Sequence, residues 1–240
     1  MKKLFAALLT VGMFLSASCP AFAEIDTAAA ADKDIDIFEL AEGGEISIVD
    51  NAVQVHKTTM VNSVKTRSGA QTQYFESTSV ALAPLTDEIT VNELYETLRA
   101  GREGHYAELP DKSGIARGYT QIYYSVTTLD NVSYYSMSQI LGGLIGPGSG
   151  SYLESGIKYY GAYIQFGQTG NTAHNGYRSF SGEEYFGAEP RDWTCTYDKF
   201  DTWIPVSSSY MATLNCQARF SFGGRNSAWD LNVMNSAFSS

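Results

Sequence analysis

The chain has 240 residues, of which 16 are basic and 26 acidic, so that it carries a formal charge of −10. This length accommodates one sizeable β domain, or one domain with a small appendage. The excess of acidic side chains argues against nucleic acid as a partner, because binding to phosphates requires a basic surface.

Residues 1–23 have the layout of a cleaved export signal. Two lysines follow the first methionine, an apolar run covers Leu4–Leu15, and the segment closes with Ala21-Phe22-Ala23, an A-x-A cleavage motif. The apolar run is too short to span a bilayer. A lipoprotein would be modified at Cys19, but Ser16 stands where that signal needs an aliphatic residue. We predict secretion after cleavage at Ala23, with no transmembrane segment in the mature chain.

Residues 24–45 are acidic, rich in alanine and free of any alternating pattern. We therefore predict a poorly ordered acidic leader there, and a single β-rich domain over residues 46–240. Apolar residues at every second position predict strands at Ile46–Val49, Gln71–Leu82 and Ile157–Phe166. In the last of these strands, the alternation places Tyr160 on the same face as Phe166.

One helix is predicted, over Thr90–Ala100. Thr90 and Glu93 have the T-x-x-E spacing of a capping box, and apolar side chains recur at the i, i+3, i+4 and i+7 positions from Val91. Gly101 supplies a stop signal. Such a stripe is typical of a helix that packs on a sheet, and a partner-binding helix is the less common alternative.

Residues 120–139 contain two pairs of adjacent tyrosines, and Asp130-Asn131 between them predicts the turn of a hairpin. Successive side chains on a strand point to opposite faces, so the pleat splits each pair. Tyr124 and Tyr135 are predicted to face the core, whereas Tyr123 and Tyr134 face solvent. The two outward rings lie about 13 Å apart along the strands, so both could contact one extended ligand.

Two alternating runs near the C-terminus predict a second hairpin. Ala212–Phe222 places Cys216 among its apolar side chains, and the returning strand places Trp229, Leu231 and Val233 on one side. Upstream, the same alternation turns Cys195 inward. Thiols in an exported chain are readily oxidised. We therefore predict a Cys195–Cys216 disulfide, which would close a loop of about 20 residues and contribute roughly 3 kcal/mol.

Several strands separated by turn signals, with one helix, predict a mainly β fold. The two candidate architectures are an antiparallel β-sandwich and an open barrel, each with one short helix near residues 90–100. Three tryptophans are available as surface aromatics. Trp203, which lies two residues before Pro205 in a predicted loop, is the one whose facing the alternation leaves unassigned.

No catalytic signature stands out in the sequence. The three histidines are isolated and lack zinc-binding spacing, and no serine or cysteine lies in a nucleophile motif. The loop-rich stretch that contains Glu183, Glu184, Glu189 and Asp192 leaves a glycoside hydrolase as an alternative. We expect a non-enzymatic protein without a metal or a cofactor.

Four segments carry a resemblance to a known family. They are "ESTSVALAPLTDE", "SGIARGYTQIYYSV", "YLESGIKYYGAYIQFGQTG" and "TWIPVSSSYMATLNCQARFSFGGRNSAWDLNV", which together run from Glu76 to Val233. The chain resembles the geobacillin-type large bacteriocins, exported proteins of Gram-positive bacteria. It departs from them at Gly142-Gly143-Leu144, where the relatives favour Gly-Gly-Trp. The resemblance implies secretion, a β-rich fold and antagonism of related bacteria, and it supplies no catalytic residues.

Two functions therefore stay open. The first is a secreted, bacteriocin-like effector that acts on a bacterial surface target. The alternative is a module that binds cell wall or another glycan through exposed aromatic rings, since aromatic side chains combine a large apolar face with a polar tip. Trp203, Tyr123 and Tyr134 are the candidate ligand-binding residues.

Overall fold

The computed structural model describes residues 35–65, 70–109, 114–145, 157–188, 194–208, 211–223 and 228–239. Within them lie helices α1 (Ile37–Ala41) and α2 (Val91–Arg102) and strands β1 (Glu45–Val49), β2 (Ala52–Lys65), β3 (Gln71–Pro84), β4 (Ile115–Leu129), β5 (Val132–Leu144), β6 (Lys158–Thr172), β7 (Gly176–Phe186), β8 (Thr194–Tyr197), β9 (Val206–Ser207), β10 (Thr213–Gly223) and β11 (Ala228–Ser239). The predicted signal peptide and residues 24–34 of the predicted leader lie outside the described residues, as do Glu189 and Asp192.

All of these strands belong to one antiparallel sheet with the order β1-β2-β3-β4-β5-β9-β6-β10-β11, to which β7 and β8 add on β6 and β5. The sheet bends over itself, so that β11 packs against β3 and β4. One layer therefore contains β2 to β5 and the other contains β6, β7, β10 and β11. The predicted mainly β class is confirmed, with two short helices in place of the single one expected.

The inner core lies between the two layers and consists of inward side chains from both, among them Ile122, Ile140, Ile164, Phe220 and Val233. The layers approach each other closely at Gly118. A Cβ atom added to Gly118 would stand 2.6 Å from Cε2 of Phe220. Only glycine leaves room for the ring there, because protein interiors are packed without free space.

A second core covers the opposite face of the β2–β5 layer, where α1 and α2 pack on the sheet. Ile37 and Ala41 of α1 are buried in it, together with Val55 and Leu82 of the sheet. The predicted leader therefore reaches too far: residues 35–45 include a helix and the start of β1. Ile37 and Ala41, four residues apart, fix α1 to the sheet. A helix of little more than one turn is too short for such a pair to be recognised as helical periodicity in the sequence.

The capping box of α2 is confirmed, because the Thr90 hydroxyl accepts from the Glu93 amide and the Glu93 carboxylate accepts from the Thr90 amide. The helix ends at Arg102 instead of before Gly101. Gly101 is a packing position, since a Cβ there would lie 2.5 Å from the Phe38 ring. Gly104, with φ at +79°, ends the helix in the left-handed conformation.

The β4–β5 hairpin has the predicted turn. Asp130 and Asn131 both have positive φ, which is the conformation of a type I′ turn, and Leu129 pairs with Val132. Tyr124 is buried in the inner core as predicted, and Tyr135 packs against it.

Polar side chains also join the two layers across the inner core. Asn235 of β11 is buried, and its Nδ2 donates to the carbonyls of Ser77 at 2.8 Å and Thr120 at 3.2 Å. The Ser77 hydroxyl donates to Oδ1 of Asn235 at 2.8 Å. Nearby, the Gln54 side chain accepts from the Met234 amide. These bonds fix the position of β11 over β2, β3 and β4.

The predicted facing of Tyr160 is wrong. Tyr159 pairs with Phe222 and Gly161 with Ser221, so that Tyr160 is an extra residue in β6. Such a β-bulge interrupts the alternation, and Gly161 takes the positive φ of +110° that the bulge requires. Tyr159 consequently points into the inner core, whereas Tyr160 is exposed.

Candidate functional site

The Trp203 ring packs against other aromatic rings instead of being exposed on the surface. Its ring lies 5.5 Å from that of Phe180 and 6.0 Å from that of Phe166, and it meets Phe200 edge to face at 4.8 Å. The side chain is half-buried against the inner core. Its position is explained by packing, because clustered aromatic rings stabilise one another in these arrangements.

The two predicted outward tyrosines have different environments. Tyr123 is only 5% exposed, because the helices cover the face of β4 that the alternation assigned to solvent. Burial, followed by the neighbouring carboxylate of Glu76, raises the pKa of Tyr123. Tyr134 is half-buried, between Thr127 of β4 and Ser207 of β9. The prediction of a solvent-facing Tyr123 is therefore wrong.

The predicted disulfide is also wrong, since Cys195 and Cys216 are both free thiols. Cys195 pairs with Gly142 of β5, and Cys216 pairs with Phe166 of β6. Both side chains do contact the inner core as predicted, but a shared core does not impose the sulfur geometry of a bond. Burial raises the pKa of Cys216 to about 12 and raises that of Cys195 as well, so both thiols stay protonated at neutral pH.

The described part of the chain has neither a cluster of metal-ligating side chains nor a membrane-spanning helix. No group of three or more histidine, cysteine, aspartate or glutamate side chains there is arranged to hold a metal ion. Neither described helix has the length and apolarity needed to cross a membrane. His56 lies opposite Glu45 of β1, and its Nδ1 is 2.8 Å from the Ser79 hydroxyl.

The most distinctive surface is the outward side of β6, β7, β10 and β11, which we call the open face. The helices lie on the other layer, and the outward side chains here are exposed or half-buried. Three rows cross the four strands in register, and their side chains are mainly aromatic, carboxamide and hydroxyl groups: Tyr185, Tyr163, Arg219 and Asn232 in the first, Glu183, Gln165, Gln217 and Met234 in the second, and Ser181, Gly167, Asn215 and Ser236 in the third. At a strand spacing of about 4.8 Å, each row spans roughly 14 Å.

The first row begins with two tyrosines from neighbouring strands. The rings of Tyr163 and Tyr185 have centroids 6.1 Å apart and are tilted by 44°. Tyr185 is 70% exposed, and its hydroxyl donates to Glu183 at 3.2 Å, which raises the pKa of Tyr185. The pair thus presents one exposed ring and one half-buried ring to solvent on an ordered strand scaffold.

Charge on the open face is low although the chain as a whole is acidic. The Arg219 Nε donates to Asp230 at 2.8 Å, and the Ser221 hydroxyl donates to the other oxygen of the same carboxylate, also at 2.8 Å. A hydrogen bond from this guanidinium to Asp230, with a second to Tyr163, raises the pKa of Arg219. Because the ion pair is neutral overall, Glu183 is the only uncompensated charge in the three rows.

The alternation in the sequence contains a signal for this face. Polar side chains occupy every second position of Thr213–Ser221, and exposed or half-buried side chains occupy every second position of β6 and β7. What it lacks is the pairing of β6 with β7 and β10, which brings Tyr163 beside Tyr185. Comparison with known proteins adds no assignment, because no family model, no curated protein and no solved structure matches this chain.

Proposed function

We propose that the protein is a secreted, non-enzymatic module that binds a neutral cell-wall or extracellular polysaccharide through the open face. The observation that carries this proposal is the Tyr163–Tyr185 pair, in which the Tyr185 ring is exposed, beside the carboxamides of Gln165 and Gln217. Sugar hydroxyls need both donors and acceptors, which carboxamide and hydroxyl side chains supply. The apolar face of a sugar ring packs on an aromatic ring, and the low charge of the rows suits an uncharged ligand.

The experiment is retention of the purified mature chain, residues 24–240, on insoluble peptidoglycan and a panel of insoluble polysaccharides. Tyr185→Ala removes the exposed ring and is expected to weaken retention on the bound polymer about two- to tenfold, equivalent to the roughly 0.5–1.5 kcal/mol of an aromatic contact. Tyr106→Ala is the matched control, because Tyr106 is exposed but lies after α2 on the other layer. Equal retention of the parent and Tyr185→Ala on every polymer would remove the proposed site.

As a second candidate, we propose a bacteriocin-like effector, supported by the resemblance and by apolar side chains exposed on β2. Met60, Val61 and Val64 are exposed there and supply apolar groups that a target could contact. The purified mature protein should inhibit growth of related Gram-positive strains. Absence of inhibition across a broad strain panel at micromolar dose would count against this function.

Secretion can be tested separately from either function. Expression of the full chain in a Gram-positive host should give an extracellular protein whose N-terminal residue is Glu24, measured by intact-mass spectrometry. A mass that retains residues 1–23, or one that carries a lipid on Cys19, contradicts the proposed processing.

A further inference from the structure

The turn between β6 and β7 contains the only Asn-Gly pair in the sequence, Asn175-Gly176. Both residues are exposed. Gly176 opens β7 with φ at +66°, a left-handed conformation that favours glycine. A Cβ atom added to Gly176 would have no neighbour within 4 Å. Other side chains therefore do not enclose the backbone at this tip of the hairpin.

The Asn175 side chain takes no part in the bonds that hold this turn. Its backbone N–H donates to Oγ1 of Thr172 at 2.9 Å, and the Thr172 hydroxyl donates to the Gly176 carbonyl at 3.1 Å. Among the described residues, the Asn175 carboxamide has no hydrogen-bond partner. Because the last torsion of an asparagine side chain is broad, the carboxamide can rotate toward the backbone nitrogen of Gly176.

Every other asparagine in the sequence is followed by a residue with a Cβ atom. Asn51 and Asn131 also lie in exposed turns with positive φ, but alanine and valine follow them. A side chain on the following residue crowds its backbone nitrogen, an obstacle that glycine lacks. Asn62 precedes Ser63, and its Oδ1 accepts a hydrogen bond from the Ser63 amide at 2.7 Å. That bond keeps the proton on the Ser63 nitrogen.

We propose that Asn175 is a site of spontaneous deamidation, with Gly176 supplying the attacking nitrogen. This nitrogen loses its proton to water and forms a bond to Cγ of Asn175. The bond from Cγ to Nδ2 then breaks, and Nδ2 takes up a proton and leaves as ammonia. Water opens the resulting succinimide at Cγ, which gives aspartate, or at the main-chain carbonyl, which gives isoaspartate. Water is the sole co-reactant.

The products change the tip of the hairpin and leave the open face as it is. Each product replaces a neutral carboxamide by a carboxylate, and isoaspartate lengthens the main chain by one carbon beside the Thr172–Gly176 pair. Tyr163, which pairs with Tyr185, lies about 30 Å from Thr172 along β6. Deamidation is therefore independent of the proposed glycan binding.

The test follows the purified mature chain, residues 24–240, during incubation at neutral and at mildly alkaline pH. Peptide mapping by mass spectrometry measures the exchange of ammonia for water at each asparagine, and enzymatic methylation detects isoaspartate. Asn175 should deamidate at least about tenfold faster than Asn51 and Asn131, because its attacking nitrogen is uncrowded. The rate should rise with pH, since that nitrogen must lose a proton. Isoaspartate should appear together with aspartate.

Two variants move the glycine between turns. Gly176→Ala should slow deamidation of Asn175 about tenfold, and Val132→Gly should accelerate that of Asn131 by about the same factor. Asn175→Gln is the negative control, because glutamine would have to close a larger ring. Circular dichroism verifies that each variant folds.

Four results would overturn the proposal. They are an unmodified Asn175 under conditions in which a free peptide of residues 172–178 deamidates, a rate at Asn175 no greater than at Asn51 or Asn131, aspartate as the only product, and variants that leave both rates unchanged. The first would show that the folded turn holds the carboxamide away from the nitrogen. The third would show direct hydrolysis by water without a succinimide.

Discussion

Removal of the Asn235 side chain should loosen the contact between the two layers. Asn235→Ala deletes three buried hydrogen bonds, with Ser77 as donor and with the carbonyls of Ser77 and Thr120 as acceptors. Each such bond contributes about 1 kcal/mol net, so the free energy of unfolding should fall by about 3 kcal/mol. For a domain of this size, each kcal/mol lowers Tm by about 2–4 °C, and the expected loss is therefore roughly 6–12 °C.

The measurement is urea and thermal unfolding followed by circular dichroism, with the parent and Asn232→Ala as references. Asn232 lies on the same strand three residues earlier, but its side chain belongs to the open face, so its removal should cost less than about 0.5 kcal/mol. The slope of unfolding against urea should stay unchanged. A loss for Asn235→Ala below about 1 kcal/mol, or one equal to that of Asn232→Ala, refutes the view that these bonds hold the layers together.

Three further predictions concern buried or half-buried side chains. Burial lowers the pKa of His56 below its ordinary value of 6.5, so between the folded-state pKa and 6.5 the unfolded chain binds more protons than the folded one. The contribution of His56 to stability should therefore be complete above pH 6.5 and be lost as pH falls through the folded-state pKa. His56→Gln should flatten this part of the curve of Tm against pH, and an unchanged curve would contradict this prediction. Cys195 and Cys216 should be unreactive to Ellman's reagent in the native mature protein and yield two thiols in guanidinium, whereas no thiol in guanidinium would show an oxidised pair. Trp203→Ala should lower stability by about 2 kcal/mol, since the ring is half-buried, while the folded variant keeps its retention on polysaccharide; a selective loss of retention would restore Trp203 as a ligand contact.

Local patterns in the sequence predict much of this fold. The turn at Asp130-Asn131, the capping box at Thr90 and the alternation of Ala212–Phe222 depend on neighbours within a few residues, and each is found in the structure. Alternation states which side chains share a face, but it does not state what covers each face. Tyr123 shows the difference, because its face is polar in pattern yet lies under the helices.

The site depended on contacts that are remote in sequence. Tyr163 and Tyr185 meet because β6 pairs with β7, and a single extra residue at Tyr160 shifts the start of β6. Neither the pairing of β6 with β7 nor the bulge at Tyr160 can be recognised from the order of the residues, since bulges and register follow from the pairing of whole strands. Trp203 could not be placed for the same reason: its partners Phe166 and Phe180 come from two other strands.

The bend that lays β11 over β3 has a consequence for how quickly the chain acquires its structure. Ser77 and Asn235, which bond directly, are separated by 158 residues. Each of the strands β1 to β5 pairs with its neighbour in sequence. Short connections join them except between β3 and β4, where the connection carries α2. The contact with β11, in contrast, encloses most of the domain. Folding rates fall as the mean sequence separation of contacts rises, so strands β1 to β5 should assemble early. Their apolar inner face then stays exposed to solvent until β11 packs on it. Docking of the last strand then sets the rate, and chains stopped before β11 should aggregate.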